Sequence, residues 1–395
     1  MTKHLTTALL LILLITPCLM SAQKRQLDQA RSIIKSGKDF DKAENLVTGL
    51  LKDSANRDNK KIYLVWFETV RAQYDAANER FYLKQKQDTA AFFNLNRRMF
   101  TILETLDSID MRPNKKGRVD IEYRNKHAEI LSAYRPNLFN AGTYYLRKGD
   151  YQQAYDYFEM YIDCDRQPLF TGYDYVHTDK RMAEAAYWAT YTGFKAADAV
   201  LTLRHRNLAL RDSSKAAFTL QYIAEARRWL KDRELYVETL EEGFSRFPMF
   251  SYFFPRLMDA YTQSGELQKA LDITDKAIAV CDICEIYYFA KSTTLLRMGR
   301  YRECIDVSNC ILQANDQYAE AYFNAGTSYV NLALELDERK DKKQLRQLYQ
   351  KARPYMERYR QLAPKEKDKW GPALYRIYLN LNMGKQFDEI DRLLK

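Results

Sequence analysis

Glycine and proline are scarce in this chain, with 13 and 9 residues among 395. Because these two residues mark most turns, their scarcity predicts few loops and argues against a fold of many short strands. Hydrophobic residues make up 46% of the sequence, which is enough for the chain to fold. The length exceeds what one ordinary hydrophobic core organises. The composition therefore predicts long helices, arranged in several domains or in a repeat array.

Histidine is also rare, and the common catalytic motifs are missing. After the first 22 positions the sequence holds His127, His177 and His205, which lie far apart. It contains no H-E-x-x-H, no G-x-S-x-G and no glycine-rich phosphate loop. We therefore expect a protein that is not an enzyme and that holds no cofactor and no metal. A pair of catalytic carboxylates on helix faces is the alternative that sequence alone leaves open.

Long apolar runs are absent except at the N-terminus. Ala8 to Ile15 is an unbroken apolar run that follows Lys3 and precedes the small residues Ser21 and Ala22. This is the pattern of a secretory signal peptide cleaved after Ala22. The run is shorter than the roughly 20 residues that span a bilayer, so we expect no transmembrane segment. The sequence predicts export, with the periplasm favoured over a lipoprotein anchored through Cys18.

The chain carries 62 basic and 52 acidic residues, and the excess is spread along its length. Short basic clusters such as Arg204-His205-Arg206 lie beside acidic residues or in predicted loops. Dispersed charge of this kind is typical of solvated helix faces. A nucleic-acid partner would require one basic stripe, so none is expected.

Six cysteines occur, and two of them form the motif Cys281-x-x-Cys284. The usual companions of a zinc site or a thioredoxin-like centre, a second pair or a βαβ pattern, are missing. Export permits disulfides, so we expect packing or a structural disulfide among Cys281, Cys284 and Cys310, with the pairing left open. The alternative is a redox-active or otherwise catalytic envelope protein that uses Cys281 and Cys284.

A regular repeat period organises the C-terminal half. Aromatic or aliphatic residues recur every 34 positions, at Leu220, Phe254, Tyr288 and Tyr322. Apolar and small residues between them follow steps of three and four, which is helical periodicity. Gly265-Glu266-Leu267 and Gly299-Arg300-Tyr301 match as turns. Each unit therefore reads as a helix, a glycine-containing turn and a second helix.

An earlier unit shares a specific string with a later one. The pattern F-N-A-G-T-x-Y occupies Phe139 to Tyr145 and returns at Phe323 to Tyr329. A helix–turn–helix of about 34 residues with these anchors resembles the tetratricopeptide repeat. The resemblance is strong over 136–168 and 217–395. It implies an all-α, right-handed superhelical solenoid of antiparallel helix pairs, with longer atypical helices in the N-terminal third.

The predicted organisation has four parts. A signal peptide (1–22) precedes an N-terminal helical region with degenerate pairs (23–135). Tetratricopeptide-like repeats follow (136–215), and then regular repeats (216–395) with a helix-lengthening insertion near 336–350.

The resemblance also implies a binding surface, because in this family the first helices line the concave face and bind peptides or helices. On this chain that face would carry Phe139, Asn140, Thr143, Arg147, Asp259, Gln263, Phe289, Thr293, Arg297, Phe323, Asn324, Thr327 and Asn331. The simpler interpretation is that the phenylalanines pack against the next repeat. We therefore expect a protein-binding scaffold of the bacterial cell envelope with a protein or peptide partner. Self-assembly into a structural protein is a further alternative.

Overall fold

The computed structural model describes residues 23–114 and 116–395. The predicted signal peptide and Cys18 lie outside these residues. Regular structure in the described ranges is helical, and no strand occurs there. Of the helices described, none is long and apolar enough to cross a membrane. The predicted all-α fold class is confirmed.

Contacts divide the chain into two units, residues up to Leu230 and Lys231–Lys395. We call these the first unit and the second unit. The predicted domain boundaries at positions 135 and 215 stay predictions.

The first unit consists of helices of very unequal length. In chain order these are α1 (23–36), α2 (Phe40–Leu50), α3 (Lys60–Tyr82), α4 (Thr89–Asp110), α5 (Arg124–Tyr134), α6 (Pro136–Arg147), α7 (Tyr151–Asp163), α8 (Tyr175–Thr178), α9 (Met182–Lys195), α10 (Ala199–Arg204), α11 (Arg206–Ala209) and α12 (Ala216–Trp229). Short 3-10 turns occur at Ser54–Asn56 and Pro168–Phe170.

The long helices α3 and α4, of 23 and 22 residues, confirm the prediction of atypical helices in the N-terminal third. Their starts are fixed by side-chain caps. Asn59 accepts a hydrogen bond from the Lys61 amide, and Asp88 accepts bonds from the amides of Ala90 and Ala91. Aromatic side chains fill the space between these helices and their neighbours. The Tyr74 ring, for example, stacks on Phe92 at 4.5 Å between ring centroids.

The second unit consists mostly of helix pairs of similar size. Its helices are α13 (Arg233–Arg246), α14 (Phe253–Gln263), α15 (Leu267–Val280), α16 (Glu285–Arg297), α17 (Tyr301–Ala314), α18 (Ala319–Leu334), α19 (Lys342–Leu362), α20 (Lys367–Leu381) and α21 (Gly384–Leu394). The starts of α13, α15 and α17 are evenly spaced, and α16 and α18 start at the same interval. Each helix packs against the next one in sequence.

Glycine with positive φ makes the tight turns between paired helices. Gly149, Gly265 and Gly299 have φ of 75°, 74° and 74° in the turns α6–α7, α14–α15 and α16–α17. Only glycine adopts this left-handed conformation without strain. The glycine turns predicted from the sequence are thus confirmed.

The predicted insertion lies where the regular repeat spacing ends. Helix α18 begins at Ala319 and α20 begins at Lys367, which is a longer interval than the one that separates the starts of α16 and α18. The additional residues lengthen α18 and the following loop, and they extend α19 to 21 residues. The insertion therefore adds helix to an existing pair and does not form a separate element.

Candidate functional site

The residues predicted to form one binding surface are distributed over both units. Four lie on α6 of the first unit, and the other nine lie on α14, α16 and α18 of the second unit. The two groups are therefore two separate candidate surfaces.

The surface predicted on α6 is largely occupied by the protein itself. Phe139 is buried, and its ring packs on Phe158 at 5.4 Å and on Tyr161 at 5.6 Å. Thr143 donates a hydrogen bond to the Phe139 carbonyl one turn earlier. Asn140 and Arg147 are exposed. The prediction that Phe139 faces a ligand is wrong in this conformation, because the ring fills the seam between α6 and α7.

On α18, Asn324 also points inward. It is 3% exposed, and its amide nitrogen donates to Ser292 Oγ at 2.8 Å and to Thr293 Oγ1 at 3.1 Å. The predicted ligand-binding role of Asn324 therefore does not match its position. Instead, the amide joins the first helices α16 and α18, because an amide satisfies two hydroxyls at once.

The remaining residues of the second unit stay accessible. Phe289 and Phe323 are half-buried, and each is backed by a tyrosine of its own unit: Phe289 by Tyr318 at 5.7 Å and Phe323 by Tyr359 at 5.1 Å. The other predicted residues of this unit, on α14, α16 and α18, are polar. Asp259, Gln263 and Arg297 are exposed, and Thr293, Thr327 and Asn331 are half-buried. We call Asp259, Gln263, Phe289, Thr293, Arg297, Phe323, Thr327 and Asn331 the first-helix face.

The second helices of this unit border a cleft that the sequence pattern did not indicate. A cleft of about 570 Å³ is lined by residues of α13 and α15 and by Tyr261 of α14. The Tyr261 hydroxyl donates to Glu241, and burial together with this carboxylate raises the pKa of Tyr261. Lys269 and Lys276 lie on the same walls. The cleft has charge of both signs and no metal-ligating group other than its carboxylates.

The cysteines of the second unit adopt one of the arrangements left open by the sequence. Cys281 and Cys284 form a disulfide in the loop between α15 and α16. Cys310, the third candidate, is an exposed free thiol. Cys304 is fully buried beside Leu271 and Leu295, in the slot that Ala270 occupies one repeat earlier.

A different kind of site lies in the first unit. Glu159 and Asp163 are one turn apart on α7, and His205 lies between α10 and α11. One ligand atom from each of these three side chains lies within 4.8 Å of the other two. His205 is 3% exposed, and its Nε2 is 2.7 Å from Glu159 Oε2. We call these three residues the carboxylate–histidine cluster.

The sequence did not reveal this cluster, because Arg204-His205-Arg206 has the dispersed charge of a solvated face. Arg204 does reach solvent, but it also lies 2.8 Å from Glu159 and 3.8 Å from Asp163. The spacing of Tyr155, Glu159 and Asp163 by one helical turn each was the available signal. Nothing in the sequence indicated that His205, 46 positions after Glu159, faces that stripe.

The carboxylates of this region titrate abnormally. Burial and the charge of Asp163 raise the pKa of Glu104 to about 7. Burial and the Glu159 charge also raise the pKa of Asp163. Burial opposes ionisation of Glu159 too, but the hydrogen bonds from His205 and Tyr155 and the charges of His205 and Arg204 lower its pKa. The region thus combines half-buried acids with a buried imidazole.

No protein-family model matches the sequence, and no curated protein matches it. Solved structures resemble it at low sequence identity. The C-terminal part of a TPR repeat-containing protein from Cytophaga hutchinsonii is 12% identical, with a TM-score of 0.43, covering 64% of this chain and 92% of its own.

PilF from Pseudomonas aeruginosa is 16% identical, with a TM-score of 0.32, over 62% of this chain and 95% of its own. The MamA protein is 15% identical, with a TM-score of 0.35, over 48% and 95%. Identities in this range do not transfer a binding site or an activity.

The repeat type follows from the molecule's own geometry. The paired helices α13 to α18 have 11 to 16 residues each, and one constant interval separates the starts of α13, α15 and α17 and the starts of α16 and α18. Tight turns join α14 to α15 and α16 to α17. A helix–turn–helix with a period of about 34 residues defines one repeat class. The helix pairs α13 to α18 therefore have the fold of the tetratricopeptide repeat that the sequence resembles.

Proposed function

We propose that this chain is a non-enzymatic, exported scaffold of the bacterial cell envelope that binds a protein segment on the first-helix face. The observation that carries the proposal is the pair Phe289 and Phe323. These two aromatic rings lie at equivalent positions of the successive first helices α16 and α18, and both remain partly open to solvent. Export rests on the signal-peptide pattern at residues 1–22.

The support for these rings makes them suitable anchors. Tyr318 and Tyr359 pack behind Phe289 and Phe323, so neither ring has to be ordered when a partner binds. The Asn324 amide fixes the spacing of α16 and α18. Pre-ordered aromatic groups bind with a small loss of conformational entropy, which is why they are common at the centres of interfaces.

The polar residues around the rings indicate the kind of partner. Asp259 and Arg297 carry opposite charges, and Gln263, Thr327 and Asn331 offer donors and acceptors. A surface of two apolar positions within a mixed polar border suits an amphipathic helix or an extended segment better than a highly charged peptide.

Site-directed photo-crosslinking in cells tests this proposal. A photoreactive amino acid replaces Arg297 on the first-helix face or, as a control, the exposed Gln313 of the second helix α17. We expect a defined protein adduct from position 297 only. Phe323→Asp should weaken binding of the identified partner about 30-fold or more, because buried aromatic anchors contribute about 2 kcal/mol or more.

Val280→Asp on the second helix α15 is the matched control, since it places the same charge at another exposed apolar position. It should leave the adduct unchanged. Equal adducts from Phe323→Asp and the unmodified chain, at equal helicity by circular dichroism, would contradict the proposed binding face. Recovery of the chain only from the cytoplasmic fraction would contradict export.

A further inference from the structure

We propose that Glu159, Asp163 and His205 form a binding site for one divalent transition-metal ion of the zinc type, independent of the first-helix face. Two carboxylates and an imidazole are ligands that Zn²⁺ uses in proteins. The site lies within the first unit and joins α7 to the turn between α10 and α11. A bound ion would therefore fasten two parts of the unit that are distant in sequence.

The distances suit one shared ion after a small adjustment. The ligand atoms of the three residues lie within 4.8 Å of one another. Zinc bonds to nitrogen and oxygen are about 2.0–2.2 Å long, so tetrahedral ligand atoms are roughly 3.3 Å apart. His205 Nε2 and Glu159 Oε2 are hydrogen-bonded at 2.7 Å and would have to separate by about half an ångström. That change replaces a shared proton with a metal ion.

A second, independent observation is the hydroxyl of Tyr155. This side chain is 3% exposed, and its oxygen is buried and makes no hydrogen bond of normal geometry. It lies one turn before Glu159 on the same face of α7, and burial, a hydrogen bond of poor geometry to the Glu159 carboxylate and the charge of that carboxylate raise its pKa. Buried hydroxyls without a well-aligned partner are rare in proteins, because each one loses a hydrogen bond to water. An ion or its bound water beside Glu159 would give this hydroxyl a well-aligned partner.

Two carboxylate oxygens point to the same conclusion. Glu159 Oε1 and Asp163 Oδ1 are both buried and lack a hydrogen bond of good geometry, although Arg204 Nη2 lies 2.8 Å from the first and Arg166 Nη1 lies 3.6 Å from the second. Apart from His205, their charge is balanced by arginines at the surface. Arg204 is 48% exposed, and Arg166, which approaches Asp163 at 3.6 Å, is 65% exposed. Glu104 also interacts electrostatically with Asp163. The partly buried side chains at this place therefore include more acidic than basic groups.

The competing explanation is a salt bridge in which Arg204 is the permanent cation. The two explanations predict opposite effects of removing that arginine. If the cluster is a metal site, Arg204 competes with the ion, and Arg204→Met should tighten metal binding. If the cluster is only a salt bridge, Arg204→Met leaves the carboxylates without a cation and creates no metal affinity.

The experiment is a zinc titration of the purified full chain without a polyhistidine tag, in competition with a chromophoric chelator. A Cys310→Ser background removes the exposed free thiol. We expect one equivalent of Zn²⁺ to bind. His205→Gln and Asp163→Asn should each weaken its affinity about 100-fold, because each removes a direct ligand. Arg204→Met should strengthen it.

His177→Gln is the matched control. His177 is an exposed histidine paired with Asp174 at 2.6 Å, so it resembles the cluster chemically but is not enclosed. Its replacement should leave the main affinity unchanged. Co²⁺ loading gives a second readout, since the visible absorption of bound Co²⁺ should disappear in Asp163→Asn even if the fold is retained. No zinc binding by the parent chain, or the same affinity in His205→Gln and His177→Gln, would overturn the proposal.

Discussion

The two units of this chain bury different kinds of polar side chain. Among the residues that the structure describes, every buried side chain of an acidic, basic or histidine residue lies in the first unit: Asp107, Asp110, His127, Arg135, His205 and Glu225. The buried polar side chains of the second unit are all uncharged: Thr239, Thr274, Ser292, Thr294, Ser308, Asn324 and Ser328.

The difference follows from how each unit fixes its helices. In the second unit most buried hydroxyls bond to a carbonyl of their own helix, as Thr239 does with Leu235 and Thr294 with Ala290. Such bonds lie within one helix, so they form whichever way that helix packs against its neighbours. In the first unit, Arg124 holds Asp107 through two hydrogen bonds of 2.9 Å between helices. We infer that helices of unequal length need such specific ion pairs to fix their register. Helix pairs of similar length are instead aligned by the fit of their packed surfaces.

Breaking the most buried of these pairs should have the largest effect. Arg135 is 4% exposed, lies between the rings of Tyr161 and Tyr175 at 3.7 and 3.8 Å, and binds Asp179 and the Tyr161 carbonyl. Arg135→Met should lower the free energy of unfolding by about 3–5 kcal/mol, because it leaves the half-buried Asp179 without its cation and removes the arginine from between the two rings. Urea denaturation followed by circular dichroism measures this change.

Arg147→Met, at the exposed end of the neighbouring helix α6, is the control and should change stability by no more than about 0.5 kcal/mol. If both replacements have equally small effects, the buried pair does not hold the first unit together. The proposed difference between the units, that the first depends on buried ion pairs, would then be wrong.

The sequence predicted the second unit better than the first. The repeat period indicated the succession of helix, glycine turn and second helix in the second unit, and the insertion, because each repeat imposes the same local rule. In the first unit the sequence indicated the long pair α3 and α4 but not the ion pairs. Arg135 and Asp179 are 44 positions apart, and a charged residue in a helix looks the same in sequence whether it is exposed or buried.

The candidate sites differ in the same way. The sequence placed Phe289 and Phe323 at equivalent positions, but it could not distinguish the accessible Phe323 from the buried Phe139, because both begin the same string. What differs is the neighbouring residues, since Phe139 fills a seam beside Phe158 and Tyr161. Whether a side chain is accessible depends on the residues that pack against it. The repeat pattern does not encode those residues.

Glycines at helix contacts offer a second comparison between the units. A Cβ added at Gly193 of the first unit would lie 2.6 Å from the Thr202 backbone nitrogen, whereas one at Gly326 of the second unit would lie 2.9 Å from the Met356 side chain. Backbone cannot move aside, but a methionine can. Gly193→Ala should cost about 3 kcal/mol and Gly326→Ala about 1 kcal/mol, within the range for overpacking. Thermal unfolding of the two variants measures the difference, and a larger loss for Gly326→Ala would contradict it.

The half-buried Glu104 of the first unit should make stability depend on pH. Burial and the Asp163 charge raise the pKa of Glu104 from 4.5 to about 7. Between these values the folded chain holds a proton that the unfolded chain has released, so this residue lowers stability as pH rises. Glu104→Gln removes the effect, and it should stabilise the protein by about 1–2 kcal/mol at pH 8 and leave it unchanged near pH 4.

Glu303 of the second unit is the control, since its hydrogen bonds from Arg300 lower its pKa and it lies on the surface. Its contribution has the opposite sign, because it is lost as pH falls. Urea unfolding of Glu104→Gln and Glu303→Gln at both pH values tests the comparison. Stabilisation by Glu303→Gln at pH 8, or none by Glu104→Gln, would show that buried acids do not distinguish the units.

The smallest effect concerns the turn conformation that the two units share. Ala197 of the first unit has φ of 55° in the turn before α10, the conformation that Gly265 adopts with φ of 74° in the second unit. A side chain costs about 1 kcal/mol there, since its Cβ crowds the following carbonyl. Ala197→Gly should therefore stabilise the protein by about 0.5–1 kcal/mol, and Gly265→Ala should destabilise it by a similar amount. No atom outside the turn lies within 4 Å of a Cβ at Gly265, so backbone strain alone is measured. Differential scanning calorimetry measures both changes in stability. If the two changes have the same sign, Ala197 is not strained in its turn, and the first unit does not lose stability by having alanine where the second unit has glycine.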